Sequence, residues 1–130
     1  MEMNTKALKT AMDWKVTGMV KGVKVHRIPI EGNGCDYGVG SDTYGYQIGK
    51  VADDGTWFEV LDKFGNLHGH AVLVTRKNSK LRGCYCWSGY HGEGGPKGKP
   101  YFYYSCGRVH GALGISDKPG CCETYLDPSF

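Results

Sequence analysis

YGYQIGKVADDGTWFEVLDKFGNLHGHAVLVTR, residues 44–76, is the stretch that decides the fold. Apolar and polar side chains alternate, as in strands with one buried face, along residues 44–52, 56–61 and 67–76. The Asp-Gly pair at 54–55 is a strong signal for a tight hairpin turn, because glycine accepts the positive φ that such turns need. The stretch therefore predicts a three-stranded antiparallel β-meander.

Shorter elements precede the meander. Apolar side chains at helical spacing over residues 5–14 predict one short N-terminal helix. Val23 and Val25 alternate with polar neighbours as in a half-buried strand, and the Lys-Gly pair at 21–22 suits a turn before it. Four glycines in residues 31–41 predict a loop between this hairpin and the meander.

Downstream, aromatic side chains are concentrated in residues 81–90 and 100–108. We expect these segments to pair as a second hairpin across the glycine-rich residues 91–99, with Cys86 facing Cys106 across the ladder. A short strand over residues 109–115 and a loop-like tail over 116–130 complete the chain.

The whole chain, residues 1–130, is predicted to form one domain, because its length fits one core better than two. Its 21 glycines and nine tyrosines are typical of many short strands joined by tight turns. The expected fold is mainly β: a small antiparallel barrel or sandwich built from two β-meanders, with one short N-terminal helix.

Nothing in the sequence indicates export or membrane insertion. Residues 1–15 mix charged and apolar side chains, unlike a signal peptide, and no segment has the roughly 20 apolar residues of a membrane-spanning helix. We therefore expect a soluble, cytoplasmic protein without a membrane partner. In such a compartment we expect its six cysteines to be free thiols or metal ligands rather than disulfides.

Charge is segregated along the chain although the net charge is only +3. Residues 28–75 carry seven acidic and two basic side chains, whereas residues 76–108 carry seven basic and one acidic. Separate charge surfaces of this kind concern partners rather than fold. They suit a protein-interaction or inhibitor module, which would bind another protein or a second copy of itself as a homo-oligomer.

Cations and aromatic rings interleave in residues 76–108, here called the basic segment. Lysine and arginine bind phosphates, and aromatic faces stack on bases. The segment predicts a non-enzymatic module that captures an anionic ligand, a nucleic acid or nucleotide, with help from the glycine-rich loops. Alternation places Tyr101 and Tyr103 on one face and Phe102 and Tyr104 on the other, so one face is free for a ligand. The candidate ligand-binding residues are Arg82, Trp87, Lys97, Lys99, Tyr101, Tyr103 and Arg108. The same residues also fit a solvated hairpin with a packed aromatic face.

The cysteines allow one structural zinc ion as a cofactor. Zinc takes four thiolate or imidazole ligands in a tetrahedron. A Cys-x-Cys pair on a strand points both thiols to one face. The candidate metal ligands are Cys84, Cys86, Cys106 and Cys121, with Cys122, His91 or His110 as substitutes. No C-x-x-C pair is present, and buried free thiols explain the same cysteines.

A thiol hydrolase is the third hypothesis. Cys35 would supply the nucleophile, and His70, at the start of an apolar strand, would act as its base. However, no helix N-terminus is expected beside Cys35 to lower its pKa. Catalysis is therefore a less favoured hypothesis than binding.

Overall fold

The computed structural model describes residues 18–128, so the helix expected at 5–14 lies outside the described residues. The described residues form ten strands and one turn of 3₁₀ helix at Tyr90–Gly92. The strands are β1 (Gly18–Val20), β2 (Val23–Val25), β3 (Asn33–Val39), β4 (Asp42–Val51), β5 (Trp57–Leu61), β6 (Leu67–Leu73), β7 (Tyr85–Trp87), β8 (Tyr103–Ser105), β9 (Arg108–His110) and β10 (Ala112–Pro119).

The predicted meander is present as β4, β5 and β6, which pair antiparallel in sequence order. Its first turn is fixed by the side chain of Asp54, which accepts hydrogen bonds from the backbone N–H and the hydroxyl of Thr56, while Gly55 adopts φ +79°. The second turn uses Asp62 in the same way, as its carboxylate accepts the N–H groups of Phe64 and Asn66 at 2.9 Å. Both turns thus depend on an aspartate that satisfies the turn's own amides.

Six strands close into an antiparallel barrel in the order β10-β3-β4-β5-β6-β7. Strand β10 makes the closure, because Ala112 pairs with Cys86 of β7 while Ile115 pairs with Cys35 of β3. The prediction of a mainly β fold is therefore confirmed, and of the two architectures expected the protein adopts the barrel. Residues 18–128 contain no helix with the length and apolar character needed to cross a bilayer.

Two predicted segments differ from the structure. Residues 31–41 were expected to be a loop but contain strand β3, whose Gly34 makes room for the end of the chain. A Cβ atom on Gly34 would lie 2.5 Å from Cys122 Sγ and 2.8 Å from the carbonyl oxygen of Gly120. The glycine that suggested a loop is thus a packing requirement of a strand. At the other end, β10 continues to Pro119, so only residues 120–128, here called the tail, are irregular.

The expected hairpin of residues 81–90 with 100–108 is replaced by other pairings. Cys86 of β7 pairs with Val72 and Ala112 rather than with Cys106. Cys106 lies instead in a two-residue turn with Gly107 between β8 and β9, and both residues have positive φ, 53° and 74°. A turn this short pairs the two segments that flank it, β8 and β9. Strand β7 already has a barrel strand on each side, β6 and β10, so it has no free edge for residues 100–108. In place of the second predicted meander, the structure has β7 and β10 as neighbouring barrel strands and a separate small hairpin, β8–β9.

The barrel interior is filled by side chains that alternate along each strand. The β1–β2 hairpin closes one end: Val20, Val23 and Val25 are buried against this core, and the Tyr85 hydroxyl donates a hydrogen bond to the Gly55 carbonyl at 2.6 Å. This hairpin was expected from the Lys-Gly turn, and both turn residues have positive φ. The buried barrel residues are Cys35, Ile48, Phe58, Val60, Ala71, Leu73, Tyr85, Trp87 and Leu113.

Candidate ligand-binding site

The barrel end opposite the β1–β2 hairpin is open and holds a cavity of about 560 Å³. This volume falls in the range of small-molecule sites, which are mostly concave and apolar. We call it the aromatic cavity, because seven of its nine lining side chains are tyrosine or tryptophan. The lining residues are Tyr37, Val39, Tyr44, Tyr46, His68, Trp87, Tyr90, Tyr101 and Tyr103.

Strands β3 and β4 supply one wall. Tyr37 pairs with Tyr44 across the ladder, and Tyr46 pairs with Cys35, so the inward positions of both strands carry rings near this end. Burial raises the pKa of the Tyr37 and Tyr46 phenols above their usual value, because the phenolate is poorly solvated there. Tyr37 and Tyr46 are therefore partly shielded from water and stay uncharged at neutral pH.

Trp87 of β7 contributes a buried ring to the cavity and is 6% exposed. Its ring meets that of Tyr37 at a centroid distance of 5.7 Å and an angle of 73°, and that of Tyr46 at 5.6 Å and 88°. These edge-to-face contacts are favourable for aromatic pairs. They also fix neighbouring walls nearly at right angles to each other.

His68 reaches the cavity through a β-bulge. Val60 pairs with Gly69 while the next residue, Leu61, pairs with Leu67, which leaves His68 as an extra residue in β6. A bulge of this kind re-aims a side chain and is common at barrel ends. The imidazole consequently packs against both Tyr46 and Trp87, with ring centroids 4.8 Å and 5.5 Å away.

The fourth side of the cavity comes from the basic segment. Tyr101 and Tyr103 face the cavity, whereas Phe102 packs outside the barrel on a second buried cluster that includes Val74 and Leu81. The alternation expected for residues 101–104 is thus found in the structure. Tyr90 of the 3₁₀ turn meets Tyr101 at 5.2 Å and 78°, a third nearly perpendicular ring pair.

Buried Ser88 holds the glycine-rich loop beside this wall. It is fully enclosed, and its hydroxyl donates a hydrogen bond to the Gly95 carbonyl. The N–H of Gly94 bonds to the Ser88 carbonyl at 2.6 Å, and a Cβ atom on Gly94 would lie 2.8 Å from the Ser88 hydroxyl. Gly94 is therefore required by close packing, and Gly95, with φ +74°, by turning.

The seven candidate ligand-binding residues fall into three groups. Trp87, Tyr101 and Tyr103 line the aromatic cavity. Three cations in the same stretch of sequence as the two tyrosines are exposed and do not line the cavity: Lys97, Lys99 and Arg108. Arg82 lies apart from both, since its guanidinium donates a hydrogen bond to the Thr75 carbonyl near the other end of the barrel.

The four candidate zinc ligands lie in different places. Cys84 and Cys86 pack in the same cluster outside the barrel, with Cys84 just before strand β7. Cys106 is exposed in the β8–β9 turn, and Cys121 belongs to the tail. No group of three or more histidine, cysteine or acidic side chains suited to a metal ion occurs among residues 18–128. Burial raises the pKa of Cys86 to about 12, so this thiol is protonated at neutral pH in the absence of a metal ion.

Cys35 and His70 are on opposite sides of the barrel wall. Cys35 is completely buried in the interior, where burial raises the pKa of its thiol strongly. His70 lies between the inward residues Gly69 and Ala71 in β6, so its side chain points outward. The centroids of its ring and of the Trp57 ring are 5.8 Å apart. The hypothesis of a thiolate activated by this imidazole is therefore not supported by the arrangement, because the strand alternation separates the two side chains.

Sequence reasoning found three of the nine lining residues and missed the others. A signal was present for β4, since Tyr44 and Tyr46 repeat the Tyr-x-Tyr spacing of 101 and 103. Tyrosine at two successive inward positions is unusual for a dry core, because each hydroxyl needs a partner or water. The missed lining residues are Tyr37, Val39, Tyr44, Tyr46, His68 and Tyr90.

Comparison with protein-family models, curated protein sequences and solved structures found no match to this chain. The site is therefore interpreted from its own geometry. It offers aromatic faces, tyrosine hydroxyls and one imidazole, and the described lining includes neither a carboxylate nor a lysine or arginine.

Proposed function

We propose that this protein is a non-enzymatic binding module that holds the base of an anionic ligand, a nucleotide or single-stranded nucleic acid, in the aromatic cavity. The phosphates of the ligand lie outside the cavity, within reach of the basic segment. Bases stack on aromatic side chains whatever their sequence, because every base has a π face.

The observation that carries this proposal is the composition of the cavity wall. Seven aromatic rings from five separate parts of the chain converge on one open space of about 560 Å³. A hydrophobic core would fill this space with aliphatic side chains, and close packing leaves few voids larger than a water molecule. Rings left facing an open cavity are what a ring-bearing ligand requires.

The second support is the position of charge. Tyr101 and Tyr103 belong to the segment with seven basic and one acidic side chain, and Lys97, Lys99 and Arg108 are exposed on it. A base stacked on either tyrosine would therefore place its phosphate near these cations. Such cations contribute affinity that does not depend on base sequence and falls as salt rises.

The proposal is tested by titrating the protein with nucleoside diphosphates and with fluorescently labelled oligonucleotides, using tryptophan fluorescence and anisotropy. Tyr103→Ala should weaken binding by about 1–3 kcal/mol, roughly 5- to 150-fold, because it removes one stacking face. Tyr104→Ala is the matched control, since Tyr104 follows on the same strand, is 64% exposed and does not line the cavity.

The charge contribution is tested separately. The triple change of Lys97, Lys99 and Arg108 to glutamine should lower the slope of log affinity against log salt for an oligonucleotide by about 2. The change of Arg82 to glutamine serves as its control, because that side chain lies away from the cavity. Affinity that is the same in Tyr103→Ala as in the unaltered protein, or no binding at all, would refute the proposal.

A further inference from the structure

We infer that the aromatic cavity selects a positively charged base, and specifically a purine nucleotide alkylated at N7, over the unmodified nucleotide. This inference rests on the proposed function, because it names which ring the same cavity prefers. It follows from the angles between the cavity walls, which the proposed function does not use.

Three ring pairs of the cavity stand nearly perpendicular. They are Tyr37 with Trp87, Tyr46 with Trp87, and Tyr90 with Tyr101, at angles of 73°, 88° and 78°. A flat base can stack on one wall of such a pair. The edge of that base then points at the face of the other wall. The cavity walls would therefore contact the edge of the bound base as well as its face.

The chemistry of the edge decides whether this contact is favourable. The face of an aromatic ring is electron-rich. In an unmodified purine, N7 is a hydrogen-bond acceptor with an exposed lone pair, which an electron-rich face repels. Alkylation at N7 replaces the lone pair with an alkyl group and gives the ring a positive charge. A cation over a tyrosine or tryptophan face is attracted, and the attraction grows where water is excluded.

The distribution of charge around the cavity agrees with a ligand of this kind. The described lining includes no lysine or arginine that would repel a positive ring, and its one basic side chain is the imidazole of His68. Lys97, Lys99 and Arg108 are exposed outside it, where the negatively charged phosphates would lie. Tyr37 and Tyr46 are partly buried, which raises the pKa of their phenols, and an attraction between a cation and a ring is stronger where water is partly excluded.

The test compares GDP with N7-methyl-GDP, a pair that differs by one methyl group and one positive charge. Both are titrated by calorimetry in the same near-neutral buffer, in which the alkylated five-membered ring keeps its positive charge. We expect N7-methyl-GDP to bind about tenfold more tightly. Tyr101→Leu removes one perpendicular wall and should reduce this preference, whereas Tyr104→Leu, outside the cavity, should leave it unchanged.

The outcomes separate this inference from the proposed function. Equal affinity for the two nucleotides, or a preference for GDP, overturns the selection of a charged base and leaves nucleotide binding standing. If GDP, N7-methyl-GDP and the oligonucleotides all fail to bind, both are overturned. A methyl preference that is equally large in Tyr101→Leu and Tyr104→Leu overturns its assignment to these walls.

Discussion

Replacing Gly45 with alanine should detach the tail from the barrel. Gly45 lies in β4, and a side chain at this position would point out of the barrel. The backbone of the tail crosses directly over it. A Cβ atom there would overlap the Cys122 carbonyl group and lie 2.7 Å from the carbonyl carbon of Glu123. Both obstacles are backbone atoms, so no side-chain rotation can relieve the overlap, and the tail must move.

The size of the effect follows from what the tail loses. Five hydrogen bonds join it to β4, each with a net value of about 0.5–1.5 kcal/mol. The freed residues regain backbone entropy, which offsets most of that sum. We therefore expect the free energy of unfolding to fall by about 1–3 kcal/mol. The bonds are Thr43 N–H to Tyr125 O and Tyr125 N–H to Thr43 O, both 2.7 Å, Cys122 N–H to Tyr46 O, 3.1 Å, Gly45 N–H to Thr124 Oγ1, 3.0 Å, and Asp127 N–H to Asp42 Oδ1, 2.7 Å.

Urea denaturation gives the stability, and hydrogen exchange reports whether the amides of the tail and of Thr43 lose protection. Gly38→Ala is the matched control: this glycine lies in β3 of the same hairpin, and a Cβ atom there would meet nothing closer than the Asp42 carbonyl at 4.0 Å. The control should change stability by less than about 0.5 kcal/mol. Equal stability of the two variants, with the tail still protected in Gly45→Ala, would refute the reasoning.

Three further outcomes are expected. A small alkylating reagent near neutral pH should label exposed Cys106 first and buried Cys35 only on unfolding; early labelling of Cys35, read by mass spectrometry, would revive it as a nucleophile. Ser88→Ala should cost about 1–2 kcal/mol in urea denaturation and expose the loop to protease, since it removes the donor to the Gly95 carbonyl. Hydrogen bonds from Thr56 lower the pKa of Asp54 in the folded state, so its stabilising contribution is present above about pH 4 and is lost as pH falls further. Asp54→Asn should therefore lose less stability between neutral and acidic pH than the unaltered protein, and an identical loss would contradict this.

The meander could be predicted because its determinants are local. The Asp-Gly pair at 54–55 and the alternation of β5 and β6 each act within a few residues. Strand β3 was missed because Gly34 and Gly38 look like loop residues from sequence alone. The need for Gly34 comes from Cys122 and Gly120, more than eighty positions away along the chain. No local pattern carries information of that range.

The candidate site was predicted in part for the same reason. Tyr101 and Tyr103 stand out because they alternate within a basic segment. The opposite wall could not be assigned, because it exists only after β10 closes the barrel and brings β3 and β4 round to face them. His68 enters through a single extra residue in β6, and a shift of one position reverses which side of a strand a side chain faces.

The closure of the barrel by β10 also limits when the protein can fold during its synthesis. The last barrel strand pairs with β3 across a sequence separation such as that of Ile115 from Cys35. Until the ribosome has released β10, strands β3 and β7 both have unpaired edges that can add a strand from another chain. Pairings this distant along the chain form slowly, since loop closure must precede them. The nascent chain is consequently most prone to aggregate after the five-stranded meander has emerged and before Ala112–Pro119 follows it.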